Sequence, residues 1–405
     1  MFTKKIIHIF NDDKFIDPAI TLFEAVIPNV SEYFILKSKK DAFQFITSPL
    51  VKRLDFEDEV EMAQFYKTID SNTNRVLFLH ALDKIKQEIV LNTSSEIIKV
   101  WFIWGFDLYS NWKLLRKNIY ESKTKKYLQI KRSLKEKIIF NDLSFFVFKN
   151  KTFFKKILPS KVITILENRF ATPYYKAIHL IDVVVPVIPD EFLLVKNIGI
   201  HPKFAPFTYG CIEDLLKEKI NESVLGRPNI LIGNSADPSN NHLEIFIKLS
   251  KLDLGERKIY VPLSYSGNAA YKEFVLEQGK IILGNNFVPL LDFMTLAAYN
   301  EILLSCGTLI FNHVRQQGVG NIISMGYLGA KLFLNKKSPV YSFYKKEGMC
   351  IHSIDDLNNA SLQVEAIQKN EVNRSILFNL YSREKVHFKI KELIKVINSI
   401  DKRDA

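Results

Sequence analysis

The sequence predicts an α/β protein of two doubly wound domains, each a parallel sheet with crossover helices, facing one another across an interdomain cleft. Three observations carry this. Short β-rich apolar runs alternate with stretches of helical period, as parallel strands and crossover helices require. The alternation occurs in both halves of a chain of 405 residues, which is too long for one compact core. Between the halves, "KEKINESVLGRPN" at 217–229 is charged and polar, contains Gly226 and Pro228, and precedes a new strand, as a domain seam does. The expected division is 1–220 for an N-terminal domain and 228–405 for a C-terminal domain.

In the first half the strand candidates are "KKIIHIF" (4–10), "NRVLFLH" (74–80), "IIKVWFIW" (97–104) and "IDVVVPVI" (181–188), with helical patterns at 58–67 and 83–91. In the second half they are "NILIG" (229–233), "KIYVPL" (258–263), "KIILG" (280–284), "GTLIF" (307–311) and "AKLFL" (330–334), each followed by a capped helical segment. Residues 360–403 have a helical pattern rich in charge, read as a helix that closes its domain, with packing back onto the N-terminal domain left open.

Bulk properties narrow the function classes. The longest apolar runs, such as "VVVPVI" at 183–188, fall far short of the roughly 20 residues of a membrane span. The N-terminal run meets Asn11, Asp12 and Asp13 at once, so it reads as a first strand and not as a signal peptide. A cytoplasmic protein is expected. Cys211, Cys306 and Cys350 are widely spaced without a CxxC pair, which favours neither a disulfide framework nor a zinc site. The formal charge is +12, and the segment Lys113–Lys161 holds fifteen Lys and Arg against Glu121, Glu136 and Asp142. This one block therefore carries an excess equal to that of the whole chain. The aromatics near its end, "LSFFVFKNKTFFKKIL", suit an anionic membrane surface; the alternative is a solvated basic helix followed by a buried Phe-rich strand. No nucleic-acid motif accompanies the charge, and no nucleic-acid partner is expected.

Two polar turns in the second half could carry chemistry. In "LIGNSADPSNNHLEIF" (231–246), Gly233, Asn234, Ser235 and Asp237 stand where a strand hands over to a helix. The free N–H groups of such a helix start suit an anion, while the same residues are also ordinary caps and turn formers. In "NHVRQQGVGNIISMGYLGA" (312–330), Arg315, Gln316 and Gln317 precede Gly318 and Gly320. These glycines would let a diphosphate approach the backbone, and Arg315 offers a fork matched to its oxygens. The spacing is neither GxGxxG nor a Walker loop, so neither an ATPase nor a dehydrogenase is supported. In the first half, Gly105 and Asp107 follow the strand at 97–104. Asp107 could accept a proton from a substrate hydroxyl at a strand carboxyl end, or cap the next helix. His8 and His80 read as structural histidines close to the same strand ends.

Taken together, "WGFDLY", "ILIGNSADPSNNH", "VPLSYSGNAAYKEFV" and "RQQGVGN" resemble the bacterial 4-acetamido-4,6-dideoxygalactose (Fuc4NAc) transferases of enterobacterial common antigen synthesis, glycosyltransferase family 56. Their order matches from the first strand to about residue 360. The resemblance implies a GT-B architecture and transfer of a deoxyamino sugar from a dTDP-linked donor to a lipid-linked saccharide at the inner face of the cytoplasmic membrane. It places Asn234, Ser235, Asp237, Ser239, Asn240 and His242, with Arg315, Gln316, Gln317, Gly318 and Gly320, on the donor side, in the C-terminal domain, and sets Asp107 in a block of the N-terminal, acceptor-side domain, where its strand-end position makes it the candidate catalytic base. Phe106 replaces the family's small residue in "WGADLY", and "VPLSYS" replaces "VPMGYP", which leaves room for a different acceptor. No cofactor and no metal are expected, because helix N-termini and basic side chains can stabilise a departing nucleoside diphosphate. Two other classes compete: a sugar-nucleotide epimerase or hydrolase of the same fold, and a non-catalytic membrane-surface scaffold.

Overall fold

The computed structural model describes residues 4–72, 74–363 and 367–400, and among 367–369 only the backbone. The chain forms two compact units. One comprises Met1–Lys117, Arg132–Gly210 and Val386–Ala405; the other comprises Asn118–Lys131 and Cys211–Lys385. The chain thus changes unit at residue 210 and not within 217–229. It also makes two excursions that hydrophobic period cannot reveal. Residues 118–131, expected in the N-terminal domain, cluster with the second unit, and the last helix, for which packing back onto the N-terminal domain was left open, clusters with the first from Val386 onward.

The first unit is built on seven parallel strands: β1 (Lys5–Phe10), β2 (Ser31–Leu36), β3 (Val51–Leu54), β4 (Arg75–His80), β5 (Ile98–Ile103), β6 (Val183–Pro186) and β7 (Lys203–Phe204), in the order β3-β2-β1-β4-β5-β6-β7. All six residues of β5 are buried, as are the last five of β1 and of β4. A parallel sheet covered by helices on both faces requires such unbroken apolar strands. The runs at 4–10, 74–80, 97–104 and 181–188 were legible for this reason. The edge strands β3 and β7 are short, and β2, next to the edge, begins with polar residues; these were not.

The second unit holds six parallel strands: β8 (Asn229–Ile232), β9 (Ile259–Pro262), β10 (Phe287–Leu290), β11 (Cys306–Phe311), β12 (Lys331–Leu334) and β13 (His352–Ser353), in the order β10-β9-β8-β11-β12-β13. "KIILG" is a correction: it ends the helix Ala269–Leu283, and the neighbouring strand is "FVPL". A run of three apolar residues fits either element, and here Gly279 decides. A Cβ at Gly279 would lie 2.4 Å from the Phe287 ring, so the bare glycine lets this helix lie against β10.

The polar C-terminal pattern resolves into two helices, Ile367–Tyr381 and Arg383–Asn398. At their junction the Arg383 amide donates to Glu213 and its guanidinium to Asp214 (2.7 Å) within the second unit. Further along, Lys389 donates to Thr208 Oγ1 at 2.9 Å within the first. The Phe-rich segment is helical and not a strand: Asn141 caps the helix Asp142–Lys149, with Phe145 and Phe148 buried and Phe146 exposed.

Candidate functional site

In the second unit the strand order reverses between β8 and β11. Loops that leave such neighbours in opposite directions open a crevice at the strand carboxyl ends, where open α/β sheets take ligands. The loop after β8 leads through the short 3₁₀ turn Pro238–Asn240 into the helix His242–Leu249; the loop after β11 leads into the helix Val319–Tyr327. Asn234, Ser235, Asp237, Ser239, Asn240 and His242 stand on the first path, and Arg315, Gln316, Gln317, Gly318 and Gly320 on the second. The fold brings these eleven residues together.

Hydrogen bonds join the two loops. Ser239 Oγ donates to Gln317 Oε1 (2.7 Å), and Gln317 Nε2 donates to Ser235 Oγ (3.1 Å). Arg315 Nε donates to Ser239 Oγ (2.9 Å), and its outer nitrogen lies 3.8 Å from Asp237. His313 bonds Asn240 Oδ1 at 2.7 Å, and the same oxygen accepts from the Asn234 amide at 3.0 Å. Asn240 Oδ1 can only accept, so His313 carries its proton on Nε2. Ser235, Ser239 and Asn240 are thus largely committed to holding the loops.

The binding capacity lies elsewhere on the same loops. Asn234 Oδ1 and Gln316 Oε1 are buried without a hydrogen-bond partner, an arrangement costly unless a ligand satisfies it. The amides of Val319 and Gly320, in the first helical turn, have no intrahelical acceptor. Gly318 caps this helix at φ +63°, and a Cβ there would lie 2.6 Å from the Phe311 ring; at Gly320 nothing stands within 4 Å of such a Cβ. The two glycines therefore act differently, Gly318 for chain geometry and Gly320 for open space above the helix start. Gly320→Ala is expected to leave the thermal midpoint unchanged and to weaken nucleotide binding. Calorimetry showing undiminished affinity would place the ligand away from this helix.

Gly233 is also needed. A Cβ at this residue, whose φ is +65°, would lie 2.6 Å from Asn240 Oδ1 and 3.0 Å from His242 Nε2. Burial drives the His242 imidazole down to about 3, so it stays neutral and bonds Tyr271 OH through Nδ1 at 3.2 Å. Burial likewise holds His313, His8 and His80 well below the usual range. A histidine whose folded value is depressed contributes stability above its unfolded value, and that contribution is lost as pH falls towards the folded value. Unfolding free energy should therefore drop from pH ~6.5 downward, by up to about 1.4 kcal/mol per pH unit for each of these groups. Denaturant titrations between pH ~7 and ~5 check this, and His242→Gln should remove one proton from the slope. A flat profile would contradict neutral burial.

In the first unit the structure corrects the role expected of Asp107. Its side chain is 2% exposed. Oδ2 accepts from the Leu82 amide (2.9 Å) and Trp101 Nε1 (2.7 Å), and Oδ1 from the Trp104 amide (3.0 Å). A buried carboxylate engaged by three N–H donors ties the ends of β4 and β5 together and is poorly placed to receive a substrate proton. His8 and His80 are also structural. His8 Nδ1 lies 3.1 Å from His80 Nε2, and His80 Nδ1 lies 2.5 Å from Tyr209 OH.

The first unit's order reverses between β1 and β4, and the turn after β1 carries two further carboxylates. Asp12 is taken up by Lys37 (2.5 Å) and by the amides of Gln44 (2.7 Å) and Phe45 (3.1 Å). Asp13 is half-buried, accepts from the Phe15 amide through Oδ1 (3.1 Å), and has the Lys14 amide and charge beside it. Burial raises its carboxyl above the ordinary range, against the pull of the Phe15 amide. The strand-end logic applied to Asp107 holds equally for Asp13. Behind it, Asn11 bridges Asp83 and Lys86 at 2.8 Å each.

Other residues at the second unit's crevice carried no motif. Tyr265 OH accepts from Asn234 Nδ2 at 2.8 Å. Tyr120 arrives on the excursion 118–131, where burial and then the Asp237 carboxylate raise its phenol against the pull of Arg315. Asn241, at φ +52°, secures that excursion, accepting from the Glu121 amide at 2.8 Å. Among the described residues no group of three or more His, Cys, Asp or Glu could hold a metal ion.

The family model described as 4-alpha-L-fucosyltransferase, glycosyl transferase group 56, matches residues 212–385, which is all but the first residue of the second unit's long segment, Cys211–Lys385. Among solved structures, the chain is similar to sucrose-phosphate synthase from Thermosynechococcus elongatus, at 10% identity and a TM-score of 0.64 over 98% of this chain and 100% of that one. It is also similar to alpha,alpha-trehalose 6-phosphate synthase from Burkholderia multivorans, at 7% identity and a TM-score of 0.59 over 98% and 97%. A third is the Anabaena protein HepE in complex with UDP and glucose, at 9% identity and a TM-score of 0.55 over 96% and 99%. At these identities the likeness establishes the fold, which is GT-B. The fold and the family match define a nucleotide-sugar-dependent glycosyltransferase. The group 56 likeness covers residues 212–385, less than half of the chain.

Proposed function

We propose that this glycosyltransferase moves a Fuc4NAc-like deoxyamino sugar from a dTDP-linked donor to a lipid-linked saccharide in bacterial surface polysaccharide synthesis, working as a peripheral protein on the cytoplasmic face of the inner membrane. The observation that carries the proposal is the meeting of both group 56 motifs at the β8/β11 reversal, beside an open helix start and two unpartnered amide oxygens. The donor diphosphate would lie on the Val319 and Gly320 amides with Arg315 alongside, where the helix dipole and the guanidinium offset its charge. Asn234 Oδ1, Gln316 Oε1 and the partly exposed Asp237 carboxylate can accept hydrogen bonds from sugar hydroxyl and amide groups.

In the transfer, the acceptor oxygen bonds to the anomeric carbon, the bond from that carbon to the diphosphate oxygen breaks, and dTDP leaves. Arg315 and the helix start stabilise the departing charge. Asp13 is proposed to take the proton of the acceptor hydroxyl, its partial burial bringing its basicity closer to that task. Incubation with a panel of nucleotide sugars and a short-chain polyprenyl-diphosphate saccharide tests the function. The expected products are an extended saccharide and dTDP. Free or epimerised sugar nucleotide without extension would favour the hydrolase or epimerase class.

A further inference from the structure

We propose that residues 134–157 form a face that inserts into the outer part of an anionic lipid bilayer, so that the attachment is hydrophobic as well as electrostatic. The inference deepens the membrane-surface reading above and rests on it. Leu134 (77% exposed) and Ile138 (66%) stand four residues apart on the helix Leu134–Ile139. On the helix Asp142–Lys149, Leu143 (72%) and Phe146 (55%) stand three apart, and Phe153 (61%) and Ile157 (62%) follow at a spacing of four. Such spacings place each pair on one side of its turn. These are not core residues left uncovered, because the same helices bury Ile139, Phe145, Val147 and Phe148 on their inner side. Single exposed apolar residues need no explanation, whereas several in succession mark a docking surface.

The charge around these residues selects the occupant. Lys135, Lys137, Lys149, Lys151, Lys155, Lys156 and Lys161 lie among them against Glu136 and Asp142. A second copy would bring this cationic face against itself, whereas anionic headgroups neutralise it. No described helix is long and apolar enough to cross a membrane, and short helices with apolar tips and lysine flanks suit shallow interfacial insertion. The basic block therefore divides. Its earlier lysines belong to the excursion docked on the second unit, where Thr124 donates to Glu244 (2.8 Å) and Tyr127 stacks on Phe274 (3.8 Å), and they are not needed for membrane attachment.

Vesicle co-sedimentation tests this with the full chain, using phosphatidylcholine vesicles with and without phosphatidylglycerol. The wild type should bind the anionic vesicles and retain part of that binding at about 0.5 M salt, where surface electrostatics is largely screened. Leu134→Ser, Leu143→Ser, Phe146→Ser and Phe153→Ser combined should weaken binding by about tenfold or more at either salt. Lys135→Gln, Lys137→Gln, Lys155→Gln and Lys156→Gln combined should remove the preference for anionic lipid. Lys123→Gln, Lys125→Gln and Lys126→Gln combined should bind as the wild type does. Wild-type binding by the serine variant would overturn the proposal, as would a soluble wild-type dimer that this variant dissociates. Transfer to a water-soluble acceptor should be equal in wild type and serine variant. Absence of that transfer in both would count against the proposed reaction and leave the vesicle result standing.

Discussion

Asp13→Asn is expected to lower turnover by about 10²- to 10⁴-fold, the range over which a positioned general base contributes, while dTDP affinity and the thermal midpoint stay close to wild type. Asparagine keeps the shape and can still accept from the Phe15 amide (3.1 Å in the wild type), so the change isolates basicity. Asp13 also has a fitting position, at the carboxyl end of the central strand β1 where the sheet order reverses. Steady-state transfer at saturating acceptor is the readout. Near-normal turnover would remove Asp13 from the chemistry.

Asp107→Asn should behave in the opposite way. The native carboxylate accepts from Leu82, Trp101 and Trp104, and an amide can turn only one acceptor oxygen towards donors on two sides. At least one buried N–H would then face an NH₂ group, at a cost of roughly 1–3 kcal/mol for each donor left unsatisfied. Expected is a clear fall in unfolding free energy by chemical denaturation, with residual activity following the folded fraction. A variant as stable as wild type but inactive would reinstate Asp107 as a base.

The contrast between these two aspartates shows what the sequence can reveal. Both follow an apolar strand and both stand before a helix, so strand-end logic selects either. Only the fold shows that Trp101 and the Leu82 and Trp104 amides enclose one of them, while the other is half-buried and engaged by neighbours in its own turn. The meeting of the two polar turns was more legible because their residues sit on two loops whose strands, "NILIG" and "GTLIF", are apolar enough to be recognised. Their adjacency depends on β8 pairing with β11 across more than seventy intervening residues, and local pattern does not specify that pairing. Tyr120 was hidden for a related reason: an excursion from one unit onto the other leaves no hydrophobic period, only a basic run with two possible uses. The same run concealed the difference between Lys123, Lys125 and Lys126 and the lysines that flank Leu134 and Phe146.

The β8 and β11 loops are proposed to bind the nucleoside diphosphate of the donor. Calorimetric titration of dTDP into the wild type and Arg315→Ala tests it most directly. Arg315 is 8% exposed, donates through Nε to Ser239 at 2.9 Å and through one outer nitrogen to the Gln316 carbonyl at 3.1 Å, and holds its other outer nitrogen 3.8 Å from Asp237, so its guanidinium is fixed beside the helix start where a phosphate would lie. Saturable one-site binding by the wild type is expected, with an affinity lower by about ten- to a hundredfold in the variant, equivalent to a lost charge-assisted contact of roughly 1.5–3 kcal/mol. Equal dTDP affinity in the two proteins would contradict it.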